Sequence, residues 1–152
     1  MQTIFSIIII IMQEAHNCMF VKSEEGLYSY ISPGITDSSL VCGLYVVGEP
    51  TQVVEFEFKD FGVSCIDGGL VSVIDGWELN GQFFPSEVDH ELPRDRRFEE
   101  FCGSKTPSRI FTTAQNVGLI EFRIPVKGQG FRVNVKFRDN PFREWHFCVT
   151  IS

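Results

Sequence analysis

The chain has 152 residues, with 13 basic and 20 acidic side chains and a net charge of −7. That length favours one domain, and the acidic balance argues against a nucleic-acid backbone as partner. The 5 cysteines and 15 phenylalanines point to an exported, disulfide-bearing protein with an aromatic core.

The N-terminus opens on the apolar run TIFSIIIIIM, Thr3 to Met12, which stops at Gln13 and Glu14. A bilayer span needs roughly 20 apolar residues, so the run is too short to cross one. It fits the apolar centre of a secretory leader, although no Lys or Arg precedes it. Residues 1–18 are therefore expected to be a signal peptide, and 19–152 one folded domain without a membrane span.

After residue 26 the chain alternates with period two, the signature of half-buried strands. LYSYIS (27–32) comes first, and VCGLYVV (41–47) is nearly continuous, as a strand buried on both faces would be. VVEFEFKDF (53–61) puts Val54, Phe56 and Phe58 on one face against Glu55, Glu57 and Lys59 on the other. LVSVID (70–75) follows a Gly-Gly pair, and SRIFTT (108–113), VGLIEFRI (117–124), FRVNVKF (131–137) and HFCVTI (146–151) complete the set. GEP, DGG, NGQ and KGQG punctuate the runs. No stretch carries a convincing helical period; RDRRFEEF (94–101) could form about one helical turn. The basic residues within it, Arg94, Arg96 and Arg97, are interleaved with Asp95 and followed by Glu99 and Glu100, and read as a solvated loop or helix end. Short strands joined by Gly-rich turns predict an all-β sandwich of antiparallel sheets, of jelly-roll type. Phe56, Phe58, Val73, Ile120, Phe122, Val133 and Val135 are expected inside it.

Cys18 lies at the edge of the expected leader, which leaves Cys42, Cys65, Cys102 and Cys148. An even number in a secreted chain suggests two bridges, and three pairings are possible. Sequential pairing closes the shortest loops, so Cys42–Cys65 and Cys102–Cys148 are expected, each stabilising by ~3–4 kcal/mol. A zinc site fails on spacing, since there is no Cys-x-x-Cys pair and the 3 His are scattered. His90, in SEVDHELP, stands beside Asp89 and Glu91, but neighbours in a strand or loop rarely point at one another. A polar loop is the better reading there. No Ser sits in a nucleophile elbow and no Gly-rich loop opens a helix, so the chain reads as a non-enzyme with no cofactor.

The order of these features carries a resemblance. An apolar run, Cys42, an alternating strand, Cys65, and a strand ending in Asp75-Gly76 resemble a CUB domain. Longer strings narrow it: VSVIDGW, FFPSEVDHELP, FEEFC, SRIFTTAQNVGLIEFRIP and GQGFRVNVKF, in that order. They are similar to the corticotropin-releasing factor binding protein family, through its first, CUB-like half. The resemblance implies a secreted, extracellular, non-enzymatic protein that binds peptide hormones of the corticotropin-releasing factor class, or diuretic-hormone-like peptides, and limits their access to receptors. A generic CUB adhesion or assembly module is the second reading, and a small secreted hydrolase the third. Many CUB domains hold calcium through a carboxylate six residues before the turn Asp; that position is Gly69 here, so no metal is expected, with Asp67 and Asp75 as the available substitutes. The family's ligand segment before the first Cys corresponds to Thr36, Asp37, Ser38, Ser39 and Leu40, without the basic residue relatives can carry. Tyr28, Tyr30 and Trp77 are added as aromatic contacts at the domain edge. The family's second half is not expected within this sequence.

Overall fold

A computed structural model describes residues 18–34 and 40–142. The expected strand at 146–151, with Cys148, lies outside them, as do Asp37, Ser38 and Ser39. The described chain is built from strands: β1 (Met19–Lys22), β2 (Gly26–Ile31), β3 (Cys42–Val47), β4 (Gln52–Gly62), β5 (Leu70–Ile74), β6 (Trp77–Leu79), β7 (Gln82–Phe84), β8 (Phe98–Phe101), β9 (Phe111–Thr112), β10 (Val117–Arg123) and β11 (Gly130–Asp139). A single 3-10 turn spans Arg94–Arg96. The helical turn expected over 94–101 therefore stops early, and its second half is β8, pairing with β5 from Val71↔Phe101 to Ile74↔Phe98.

A five-stranded sheet ordered β1-β3-β10-β5-β8 faces a four-stranded sheet ordered β2-β11-β4-β9, and β6 and β7 form a separate hairpin. Among the described residues the pairings are antiparallel except one: β1 lies parallel to β3, with Met19 opposite Gly43 and Lys22 opposite Val46. The two sheets meet through the residues that alternation selected. Phe56, Ile120, Val133 and Val135 are fully buried, and Phe58, Val73 and Phe122 nearly so. Removing each such side chain from water is worth ~1.5–3 kcal/mol. Phe58 sits at the centre, meeting Phe61, Phe111 and Phe131 edge-on at ring-centroid distances of 5.8, 6.1 and 5.8 Å.

The continuous apolar run of β3 has its explanation in a second cluster. Leu44 and Val46 point into the sandwich, while Tyr45 joins Leu119 and Ile74 on the outer face of the five-stranded sheet. The β6–β7 hairpin brings Trp77 onto that face. The Asp75-Gly76 turn makes the reversal possible: Gly76 has φ of 122°, and a Cβ there would strike the carbonyl of Phe84.

The disulfides correct the expected pairing. Cys18 bridges Cys42 and Cys65 bridges Cys102, with Cα separations of 5.0 and 5.3 Å. Minimising loop length chose the wrong partners because sheet pairing brings the cysteines together. The parallel pairing of β1 with β3 sets Cys18 beside Cys42, and the carbonyl of Cys18 accepts the N–H of Gly43 at 3.0 Å. At the far edge Val63 and Gly103 exchange two backbone hydrogen bonds of 2.9 and 2.6 Å, which aligns Cys65 with Cys102. Cys18 is buried, so it belongs to the folded domain and not to a leader ending at residue 18.

Candidate functional site

A two-sheet sandwich is open along the two sides where its sheets end. On one side the edges are β1 and β2, joined by Ser23 to Glu25. Between them lies a slot of about 190 Å³ lined by Phe20, Lys22, Tyr28, Tyr30, Phe122 and Phe131. Tyr28 and Tyr30 face it together because strand residues two apart share a face. The Tyr30 ring leans on Phe122 at 4.6 Å, and Phe122 meets Phe131 edge-on at 5.0 Å. The Tyr28 hydroxyl donates to the Glu24 carbonyl at 2.5 Å. Burial raises both phenols above their ordinary value; the Glu24 charge adds to this for Tyr28, and a hydrogen bond with Ser32 opposes it for Tyr30. Both are neutral near physiological pH and present an apolar ring with a polar end. Lys22 puts an exposed charge at the slot's rim.

The other candidates do not converge there. Leu40 is half-buried and packs against the main core. Trp77 lies on the outer face of the five-stranded sheet. Its indole N–H donates to the carbonyls of Val46 and Gly118 at 3.1 and 2.9 Å, and its ring meets Tyr45 edge-on at 5.5 Å. The Tyr45 hydroxyl in turn donates to the Glu78 carbonyl at 2.9 Å. Trp77 thus fastens the hairpin to the sheet, away from the slot. The residues missed from sequence are Phe20, in a strand too short to show a period, and the pair Phe122 and Phe131, which period alone marks only as core.

The loop between β7 and β8 also departs from expectation. His90 and Arg97 are both buried. His90 Nδ1 accepts the N–H of Leu92 at 2.9 Å, which places the proton of the neutral ring on Nε2. Nε2 lies 3.1 Å from Asp75 Oδ2 but outside hydrogen-bond alignment, and it has no hydrogen-bond partner among the described residues. Nδ1 is thus taken by the backbone, and the ring is buried away from solvent. The Arg97 guanidinium donates to the carbonyls of Pro85, Ser86 and Leu92, pinning the loop from inside.

Gly69, where the resemblance places a calcium carboxylate, sits in tight packing. A Cβ on Gly69 would sit 2.6 Å from both the Ser64 carbonyl oxygen and Val63 Cγ1, so no carboxylate can replace this glycine without moving the backbone. Asp67 accepts the Ser64 hydroxyl at 2.6 Å, and Asp75 Oδ1 accepts the Ala114 N–H at 2.9 Å. The two substitutes are each engaged in the fold.

Comparison with known proteins follows the same lines. The chain has the sandwich of the zebrafish Gpr126/Adgrg6 extracellular region, at TM-score 0.51 and 19% identity over 80% of this chain and 14% of that one. It matches the CUB1-EGF-CUB2 domain of human MASP-1/3 at TM-score 0.50 and 17% identity, over 81% of this chain and 42% of that one. These likenesses establish a CUB-type fold. In sequence it is 32% identical over 130 residues to the rat corticotropin-releasing factor-binding protein and equally to the sheep protein, covering 86% of this chain and 39% of each relative. The Xenopus laevis protein is 31% identical over 125 residues. The chain thus spans about two fifths of the length of the relatives it matches. The model of the corticotropin-releasing factor binding protein N-terminal domain matches residues 10–139, and the chain belongs to that family.

Proposed function

We propose that this chain is a secreted, non-enzymatic module that binds a peptide hormone of the corticotropin-releasing factor class, or a diuretic-hormone-like peptide, and limits its access to receptors. The supporting observation is the aromatic slot between β1 and β2, within a chain of this family. Both flanking strands are sheet edges among the described residues, so their outward backbone groups can pair with an extended ligand while the slot takes an apolar side chain. The neutral tyrosine hydroxyls and Lys22 supply polar contacts at its rim. The hydrolase reading is disfavoured because His90 is buried and its Nδ1 is taken by the Leu92 N–H. Export is part of the proposal: two bridges need an oxidising compartment. The leader must then be removed ahead of Cys18, which the Cys18–Cys42 bridge retains.

The slot's size limits the affinity. At about 190 Å³ it holds one or two side chains, and a peptide that is disordered when free must also be ordered on binding. Binding by this chain is expected near micromolar, about 8 kcal/mol. Calorimetry of the secreted chain against a corticotropin-releasing-factor-like peptide tests it. Micromolar heat that Tyr28→Ser weakens at least about tenfold, ~1.4 kcal/mol, supports the reading. Absence of heat for both peptide classes, or binding that ignores the tyrosine, refutes it.

A further inference from the structure

The sandwich has a second open side, between the edge strands β8 and β9, and its chemistry is opposite to that of the slot. A cleft of about 250 Å³ runs there over Phe56, Val73 and Phe111. Its walls carry three guanidinium groups, Arg96, Arg97 and Arg109, against two carboxylates, Asp75 and Glu99. Both carboxylates are already engaged. Asp75 takes the Ala114 N–H and faces His90, and Glu99 pairs with Arg109. Arg109 is also held over the Phe111 ring at 4.3 Å. The buried Arg97 is neutralised by no carboxylate that it bonds, since its partners are the carbonyls of Pro85, Ser86 and Leu92. Arg96 is exposed and has no ion-pair partner among the described residues. The cleft's lining thus carries one more guanidinium than carboxylate, in a chain whose net charge is −7.

We propose that this cleft is a second binding site, which takes the carboxylate of an acidic side chain on a polypeptide partner. A guanidinium with free N–H groups matches a carboxylate's two oxygens, and such charge-assisted bonds are stronger in a partly desolvated cleft. The surroundings define the partner further. Glu91, Asp95 and Glu100 are exposed carboxylates flanking the cleft's residues in sequence. They repel a polyanion such as a sulfated glycan and favour an acidic residue with cationic neighbours. The site is independent of the slot between β1 and β2, on the other side of the sandwich.

The test uses the whole secreted chain and two probes, acetyl-Lys-Glu-Lys-amide and its glutamine twin, followed by amide chemical shifts. The Glu probe is expected to move the amides of Arg96, Thr112 and Thr113, and to bind about two- to fivefold more tightly than the Gln probe, as an ion pair with an exposed guanidinium would give. Arg96→Gln, at an exposed and unpaired side chain, should weaken the Glu probe by about the same factor while leaving the melting temperature unchanged. Tyr28→Ser, in the slot, should leave the Glu-probe shifts as they are. Equal binding of the two probes, shifts that spare Arg96, Thr112 and Thr113, indifference to Arg96→Gln, or tighter binding of a sulfated tetrasaccharide than of the Glu probe would each overturn the assignment.

Discussion

Replacing Glu121 with Gln should flatten the dependence of stability on pH. Glu121 stands on the outer face of the five-stranded sheet, opposite Ser72 on β5 and Gly43 on β3. Burial, then the charge of Glu78 and a hydrogen bond with its side chain, push the Glu121 carboxyl up to about 7 from an ordinary 4.5. The same two carboxylates, after burial, push the Tyr45 hydroxyl up to about 12. A carboxyl raised on folding binds its proton more tightly in the folded state, so stability is fully present below the unfolded value and is lost as pH rises through the folded one. The interval between 4.5 and about 7 sets an unscreened ceiling of about 3 kcal/mol at 1.36 kcal/mol per pH unit. Glu121 is only half-buried, and solvent screening reduces the effect to about 1 kcal/mol. The parent chain should therefore lose about 1 kcal/mol between pH 4.5 and pH 8, or about 3 °C in melting temperature for a domain of this size. Glu121→Gln copies the protonated form. It should match the parent at pH 4.5 and exceed it by about 1 kcal/mol at pH 8. Urea denaturation of both proteins at the two pH values measures this directly. Parallel pH profiles for parent and variant would show that Glu121 is not held against Glu78 as described.

Three further outcomes follow from the packing. Trp77→Phe leaves the carbonyls of Val46 and Gly118 without the indole donor, so urea denaturation should show a loss of ~1–3 kcal/mol with peptide binding at the slot unchanged. Peptide mapping without reduction should recover Cys18 joined to Cys42 and Cys65 joined to Cys102; the paired substitution Cys18→Ser, Cys42→Ser opens a loop of sequence separation 24 and should cost ~3 kcal/mol. Millimolar calcium should leave the melting temperature where chelator leaves it, because Gly69 admits no carboxylate and Asp67 and Asp75 are engaged; a calcium-dependent rise of several degrees would contradict this.

Where a strand buries one face, its alternation can be read directly. β4 and β11 carry long period-two patterns, and Val54, Phe56, Phe58, Val133 and Val135 point inward as read. Short elements hold too few residues to show a period, and here the longer strands decide their state. β1 and β8 are four residues each. β1 is placed by its bridge to Cys42 and its pairing with β3, and β8 by its register with β5. The disulfides were illegible for the same reason: which cysteines meet depends on strand order, and a parallel β1 cannot be inferred from spacing. The polar residues of the β7–β8 loop misled in the other direction. Arg97 is buried because three backbone carbonyls satisfy it, and the Nδ1 of buried His90 takes the Leu92 N–H; such partners lie in the backbone and leave no sequence signal. Of the candidate site, Tyr28 and Tyr30 converge by strand period, while Trp77 is taken to the outer face by the glycine turn before it.

The central claim is that peptide is held along β1 and β2, and hydrogen exchange measured with and without a corticotropin-releasing-factor-like peptide tests it most directly. Bound peptide should slow exchange in segments covering Phe20 to Lys22 and Tyr28 to Ile31, the strands that frame the slot. Exchange at β8 and β9, on the opposite side, should be unchanged. Protection confined to other strands, with β1 and β2 exchanging as in the free chain, would contradict the account.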